Sequence, residues 1–332
     1  MAVWKRSIMK KLFKISPLIF ASIVPVAMVA CQKEENKSEV KKIEIKKTDP
    51  FENNQYIKKL VSTYISADSN LSDQYIANQN NTLDAKYNEL KYAMNFFPPY
   101  YINAENHASD FLNLVIKSKK IIVDTLLQDW YWYLKNIDKS TYLFNPYGDS
   151  YSDDDDTEAL VNSVKQKFPS LILKTNSNIK NLIELDWQQV PETRQYNKFS
   201  NHKVLYLVFD NNVVMKAFSY TQDNTQKFVL MPDLLYIDKP ITNNPELLQA
   251  LKAIEDEFYN QRVLEIKKAI DYNKAVDGDD YDVNESYKFY NDEQLSKLFN
   301  TEAYAQLIQN TVEALFAKNE KVYRFTWRSI NE

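Results

Sequence analysis

The chain has 332 residues, 44% of them hydrophobic and 26% charged, enough to bury a sizeable core in one large domain or two modest ones. Five of its 41 basic residues and none of its 45 acidic ones precede Cys31, so the remainder carries a net charge of −9, which argues against nucleic acid as a partner. Cys31 is the only cysteine, which excludes an internal disulfide.

Residues 1–8 read as an upstream extension of a more ordinary start at Met9. From there Lys10, Lys11 and Lys14 precede an apolar run, Ile15 to Ala30, and a cysteine follows a small residue. That is the layout of a bacterial secretory signal peptide, with Cys31 where a lipoprotein signal peptidase leaves the lipidated N-terminus. The run is 16 residues long, shorter than the ~20 that a spanning helix needs. The organisation expected is a signal peptide over 1–30, lipidated Cys31 with a charged tether over 31–50, and an ectodomain over 51–332 with a sub-division near 170–200. The tether, QKEENKSEVKKIEIKKTDP, interleaves lysine with glutamate and has almost nothing to bury. Its partner is the membrane, through the N-terminal lipid.

Within the ectodomain, Phe51–Ser66 and Leu71–Phe96 predict helices, the second stopped by Pro98-Pro99. A longer helix is expected from Ala104 to Ile137, carrying Leu112, Val115, Ile122, Leu126, Trp130 and Leu134 at helical spacing. An aromatic loop (TYLFNPYGDSYSDDDD) comes next, then a short helix from Asp153 to Phe168. From Asn201 the period becomes two. Lys203–Phe209, Val213–Ser219 and Gln226–Met231 predict an antiparallel meander, the first run lying centrally because both its faces are apolar. A helix starting at Asn244-Pro245, an acidic loop, and a last helix carrying Leu298, Ala305, Ile308, Val312 and Leu315 complete the helical set. The closing KVYRFTWRSI alternates Tyr323, Phe325 and Trp327 with Arg324, Thr326 and Arg328, as a half-buried strand would, and could return to the edge of the meander. The fold class expected is α+β: a helix-rich N-terminal half, a meander flanked by helices, and a C-terminal strand.

Trp130, Tyr131, Trp132 and Tyr133 are consecutive. On a helix, successive residues turn by about 100°, so four in a row cover most of the circumference. Trp130 and Tyr133 can join the core stripe; Tyr131 and Trp132 must meet a second layer, a ligand or another protein. Burial against the adjoining loop is the plainer account. The functional one is an aromatic surface, with Tyr147 added from the loop, fitted to a host extracellular protein or a glycan. The leader together with DWYWYLKNIDKSTYLFNPYGD (Asp129–Asp149) resembles a group of mycoplasma surface lipoproteins called aromatic-motif membrane proteins. The resemblance implies a compartment and a surface role, and it supplies no catalytic residue.

Other chemistry finds little support. Placing Gly278 at position 6 of a calcium loop puts Ala275 at position 3 and Asn284 at position 12, which breaks the pattern. His107 and His202 are the only histidines and read as surface residues; neither sits in a zinc motif or beside a nucleophile elbow. Two glycines far apart exclude nucleotide loops, so no metal and no cofactor is implied. The expectation is a lipid-anchored, surface-displayed binding protein rather than an enzyme. Two alternatives stand beside it: a solute-binding lipoprotein of an ABC importer, and a secreted hydrolase using paired carboxylates.

Overall fold

A computed structural model describes residues 50–82, 85–96, 112–144, 155–196, 199–210, 212–289 and 302–331. Cys31 and the tether, Pro98-Pro99, His107, Tyr147, Gly148 and Leu298 lie outside them. The chain divides between Lys47 and Thr48, and the second unit, Thr48–Glu332, holds all of the described residues.

That unit is α+β. Its sheet has seven antiparallel strands in the order β2-β1-β7-β6-β5-β4-β3, namely β1 Ser140–Phe144, β2 Ile172–Leu173, β3 Asn181–Asp186, β4 Ser200–Asp210, β5 Val213–Gln222, β6 Thr225–Ile237 and β7 Val322–Ile330. The strands on either side of residues 170–200 therefore belong to one sheet. The expected meander is β4-β5-β6, and its first strand is interior, between β3 and β5. The β5–β6 hairpin turns on Asp223 and Asn224, both at positive φ (49° and 59°), the conformation a two-residue hairpin needs and that Asp and Asn tolerate.

Among the described residues the helices are α1 Gln55–Tyr64, α2 Ser69–Asn80, α3 Ala85–Phe96, α4 Leu112–Leu127, α5 Trp130–Lys135, α6 Asp155–Lys167, α7 Asn244–Asp277, α8 Val283–Phe289 and α9 Glu302–Ala317. Each start that matters has a local cause. The Asn54 carboxamide accepts from the Tyr56 amide at the head of α1 (2.9 Å). Asn243 accepts from the Glu246 amide (3.0 Å), and Glu246 reaches back to the Thr242 amide (2.7 Å), which with Pro245 opens α7.

Helices cover both faces of the sheet. On one, Phe228 of β6 meets Trp130 of α5 and Tyr64 of α1. On the other, Phe218 of β5 meets Phe258 of α7 and Tyr304 of α9. This corrects the half-buried reading of the last strand. The strand does return to the edge of the meander, pairing with β6, but Tyr323, Phe325, Trp327, Arg324 and Thr326 are all buried, because helices cover both faces there and β1 pairs with its other side.

Three further expectations are corrected. The single helix over 71–96 is two helices, α2 and α3. The long helix expected to reach Ile137 breaks at Gln128-Asp129, restarts as α5 and ends in a 3-10 turn, Ile137–Lys139. The start of the aromatic loop is strand β1, whose residues alternate buried and half-buried beside β7.

Candidate functional site

The break before α5 decides where the four aromatics go. On an unbroken helix the tetrad would have to continue the α4 stripe, which has room for two of its rings. At the break, the Asp129 carboxylate makes no cap bond to α5. It is held by Lys86 of α3 (2.6 Å) and by Gln79 of α2 (3.0 Å), and Gln79 in turn accepts from the Trp132 amide (3.1 Å). One short helix is thereby re-aimed against two neighbours, α2 and α3.

Each ring then finds its own partner. Trp130 packs edge-on against Phe228 of the sheet, with centroids 5.2 Å apart. Tyr131 meets Phe51, the first ring after the charged segment, at 5.1 Å and 74°. Trp132 packs on Tyr87 of α3 at 5.2 Å. Tyr133 lies against Trp327 of β7 at 4.6 Å, and its hydroxyl is hydrogen-bonded to that of Tyr142 on β1 (2.5 Å). Relative exposure of the four runs from 0% to 3%. Tyr131 and Trp132 therefore meet a second layer of structure, formed by Phe51, α2 and α3. The tetrad does not offer its ring faces to solvent. Tyr147 lies outside the described residues.

Burial pushes the phenols of Tyr133 and Tyr142 above their ordinary range. Both stay neutral at physiological pH, so the cluster carries no charge. What it does physically is join Phe51, α2, α3, β1, β6 and β7 through a single turn of helix.

The opposite face of the sheet holds a polar layer that the sequence did not reveal. The Lys216 ammonium is fully buried 2.8 Å from Glu255 of α7 and 3.5 Å from the Phe258 ring centroid. Glu255 also accepts from the Tyr206 hydroxyl (2.6 Å). Arg324 donates to Asp233 through Nε (2.8 Å) and to Gln309 of α9 (3.2 Å), with both charged partners at 0% exposure. Burial pulls the Lys216 ammonium down to about 8 against the opposing pull of Glu255, and it raises the Asp233 carboxyl against Arg324. A lone charge inside an apolar strand (VVMKAFSY, LMPDLLY, VYRFTW) was the available signal; it becomes one only when both faces of the sheet are covered.

His202 is half-buried rather than a surface residue. It stacks on Trp187 at 5.9 Å, with the Arg262 guanidinium over that indole at 3.8 Å. Burial first, and Arg262 second, pull the imidazole down to about 4. In the acidic segment, Gly278 sits at φ +78° after the last residue of α7, where a side chain would be strained. Among the described residues, no group of three or more His, Cys, Asp or Glu is placed to hold a metal ion, and no helix is long and apolar enough to cross a membrane.

A family model described as aromatic cluster surface protein matches residues 32–275. Neither a curated protein nor a solved structure matches the chain.

Proposed function

The chain belongs to the aromatic cluster surface protein family, and from that membership we propose that it is a lipid-anchored binding module displayed on the cell surface. Its lipid is carried by Cys31 and its ligand is a host extracellular protein or glycan. The observation that carries the anchoring is that the family match begins at residue 32, directly after Cys31. The match thus leaves out the leader and begins one residue after the expected N-terminal cysteine, which agrees with this reading.

Binding is favoured over the alternatives by two arrangements. A two-lobed importer protein is usually built from repeated strand–helix alternation, whereas the described strands here form one antiparallel sheet. The buried carboxylates Asp233 and Glu255 are each engaged by a cation, Arg324 and Lys216. That arrangement suits packing between layers better than work on a substrate.

Metabolic labelling with a fatty acid tests the anchor. Wild-type chain should take up label and be stripped from intact cells by protease, while Cys31→Ser should stay unlabelled and unprocessed. Labelling of Cys31→Ser at the wild-type level would refute the anchor. Binding of the full chain to arrays of extracellular proteins and glycans tests the role, and silence across both would count against it.

A further inference from the structure

We infer that the aromatic tetrad has a mechanical function: it is the point at which tension along the tether is passed into the sheet. The inference rests on the reading of residues 32–50 as a tether. It also rests on the proposed anchor at Cys31, which supplies the tension, and does not depend on which ligand is bound.

The first residues after the tether are held at several points. Phe51 is 3% exposed, its ring edge-on against Tyr131. One residue on, the Glu52 carboxylate accepts from Lys135 of α5 (3.1 Å) and from the Asn80 carboxamide of α2 (2.8 Å). Lys135 also donates to Asn80 (2.9 Å), so the three side chains close a triangle. Asn54 donates to the Ile179 carbonyl just before β3 (2.7 Å) while its oxygen caps α1. Within four residues the chain is fixed to α5, to α2 and to the approach to β3.

From Phe51 the ring contacts run inward. Tyr131 abuts Trp130 (6.1 Å), and Trp130 abuts Phe228 of β6 (5.2 Å), a strand flanked by β5 and β7. Tyr75 of α2 closes over both Trp130 and Tyr131 (6.0 and 6.1 Å). A pull on the tether must therefore draw the buried Phe51 ring off Tyr131 and break the Glu52 contacts to α5 and α2 before α1 can peel away. Such a ring buries about 150–250 Å² and leaves its site as one unit, which concentrates resistance at a single step. A pull applied directly to the first turn of α1 would instead fray that helix one turn at a time. This gives the run of four aromatics a reason beyond filling space: Tyr131 takes the entering chain while its neighbours on α5 fix the helix to α3 and the sheet.

The test is single-molecule extension of the purified, unlipidated full chain, with one handle on the Cys31 thiol and the other on a C-terminal tag. Phe51→Ala should raise the rate of the first extension step at fixed force by about tenfold or more, with a released length matching residues 51–66 at about 3.4 Å each. Glu52→Gln, on a half-exposed side chain, should raise it less and leaves the test decidable if Phe51→Ala does not fold. Phe258→Ala, on the far side of the sheet, should lower the melting temperature and leave the first step unchanged. An unaltered first step in both Phe51→Ala and Glu52→Gln would overturn the inference. So would a first step that tracks melting temperature across all three variants. Because a handle occupies Cys31, the outcome is independent of lipidation, which the labelling experiment decides separately.

Discussion

The hydroxyls of Tyr133 and Tyr142 share a 2.5 Å hydrogen bond between α5 and β1, and both residues are fully buried. Tyr133→Phe leaves the Tyr142 hydroxyl buried without that partner and should destabilise the fold by about 1–3 kcal/mol. Removing both hydroxyls together should lose less than the two single changes summed. Urea denaturation of the four proteins checks this. Both phenols titrate higher folded than unfolded, so their contribution is complete below pH 10 and is lost as pH rises further. The double Phe variant should lose stability less steeply above pH 10.

Tyr131 and Trp132 are core residues, and their loss should be felt as unfolding. Each truncation to alanine should destabilise by about 3–5 kcal/mol. The paired variant should show this as lost cooperativity in chemical denaturation. A paired variant that keeps the wild-type midpoint would show that these rings do not hold the layers together.

Lys216 and Glu255 should behave as a buried pair. Lys216→Met leaves Glu255 without its cation and should destabilise by about 3–5 kcal/mol, while an apolar replacement of both should recover most of the loss. The pH dependence carries a sign. With the folded ammonium pulled to about 8, the unfolded chain binds the extra proton between pH 8 and 10.5, so this group makes stability rise with pH across that window. Lys216→Met should flatten that rise in a midpoint-against-pH series.

His202 gives the acid counterpart. Its imidazole titrates near 4 folded against 6.5 unfolded, so its contribution is present above pH 6.5 and is lost as pH falls toward 4. His202→Phe keeps a ring on Trp187 and should weaken the loss of stability between pH 6.5 and 4. Proton NMR of the imidazole should place the folded titration well below 6.5.

What could be read from the chain was what local pattern encodes. The three meander strands announce themselves by period two, and α7 by Asn244 and Pro245 at its head. Strand β1 did not, because STYLF runs into Asn-Pro and its strand character comes from pairing with β7, more than 180 positions away. The split of α2 from α3 and the break before α5 were equally hidden, since Gln79, Lys86 and Asp129 meet only in space. For the tetrad, the sequence pointed to the anomaly and to the need for a second layer. It could not say that Phe51, α2 and α3 supply that layer. The buried charges were the least legible, since Asp233 and Arg324 stand 91 residues apart and Arg324 looked like the wet side of an edge strand.

The placement of β7 has a consequence in time. It is the last of the described strands in chain order, yet it fills the gap between β1 and β6, which stand earlier in the chain. Until it arrives, β6 lacks a neighbour on one side, Asp233 lacks Arg324, and the ring of Tyr133 lacks Trp327. In a chain that emerges N-terminus first, the sheet is therefore completed late, when the β7 segment takes its place between β1 and β6. Such long-range closure slows folding. For a chain exported unfolded, as the proposed anchor requires, a domain that stays open until its last strand has emerged is matched to its route.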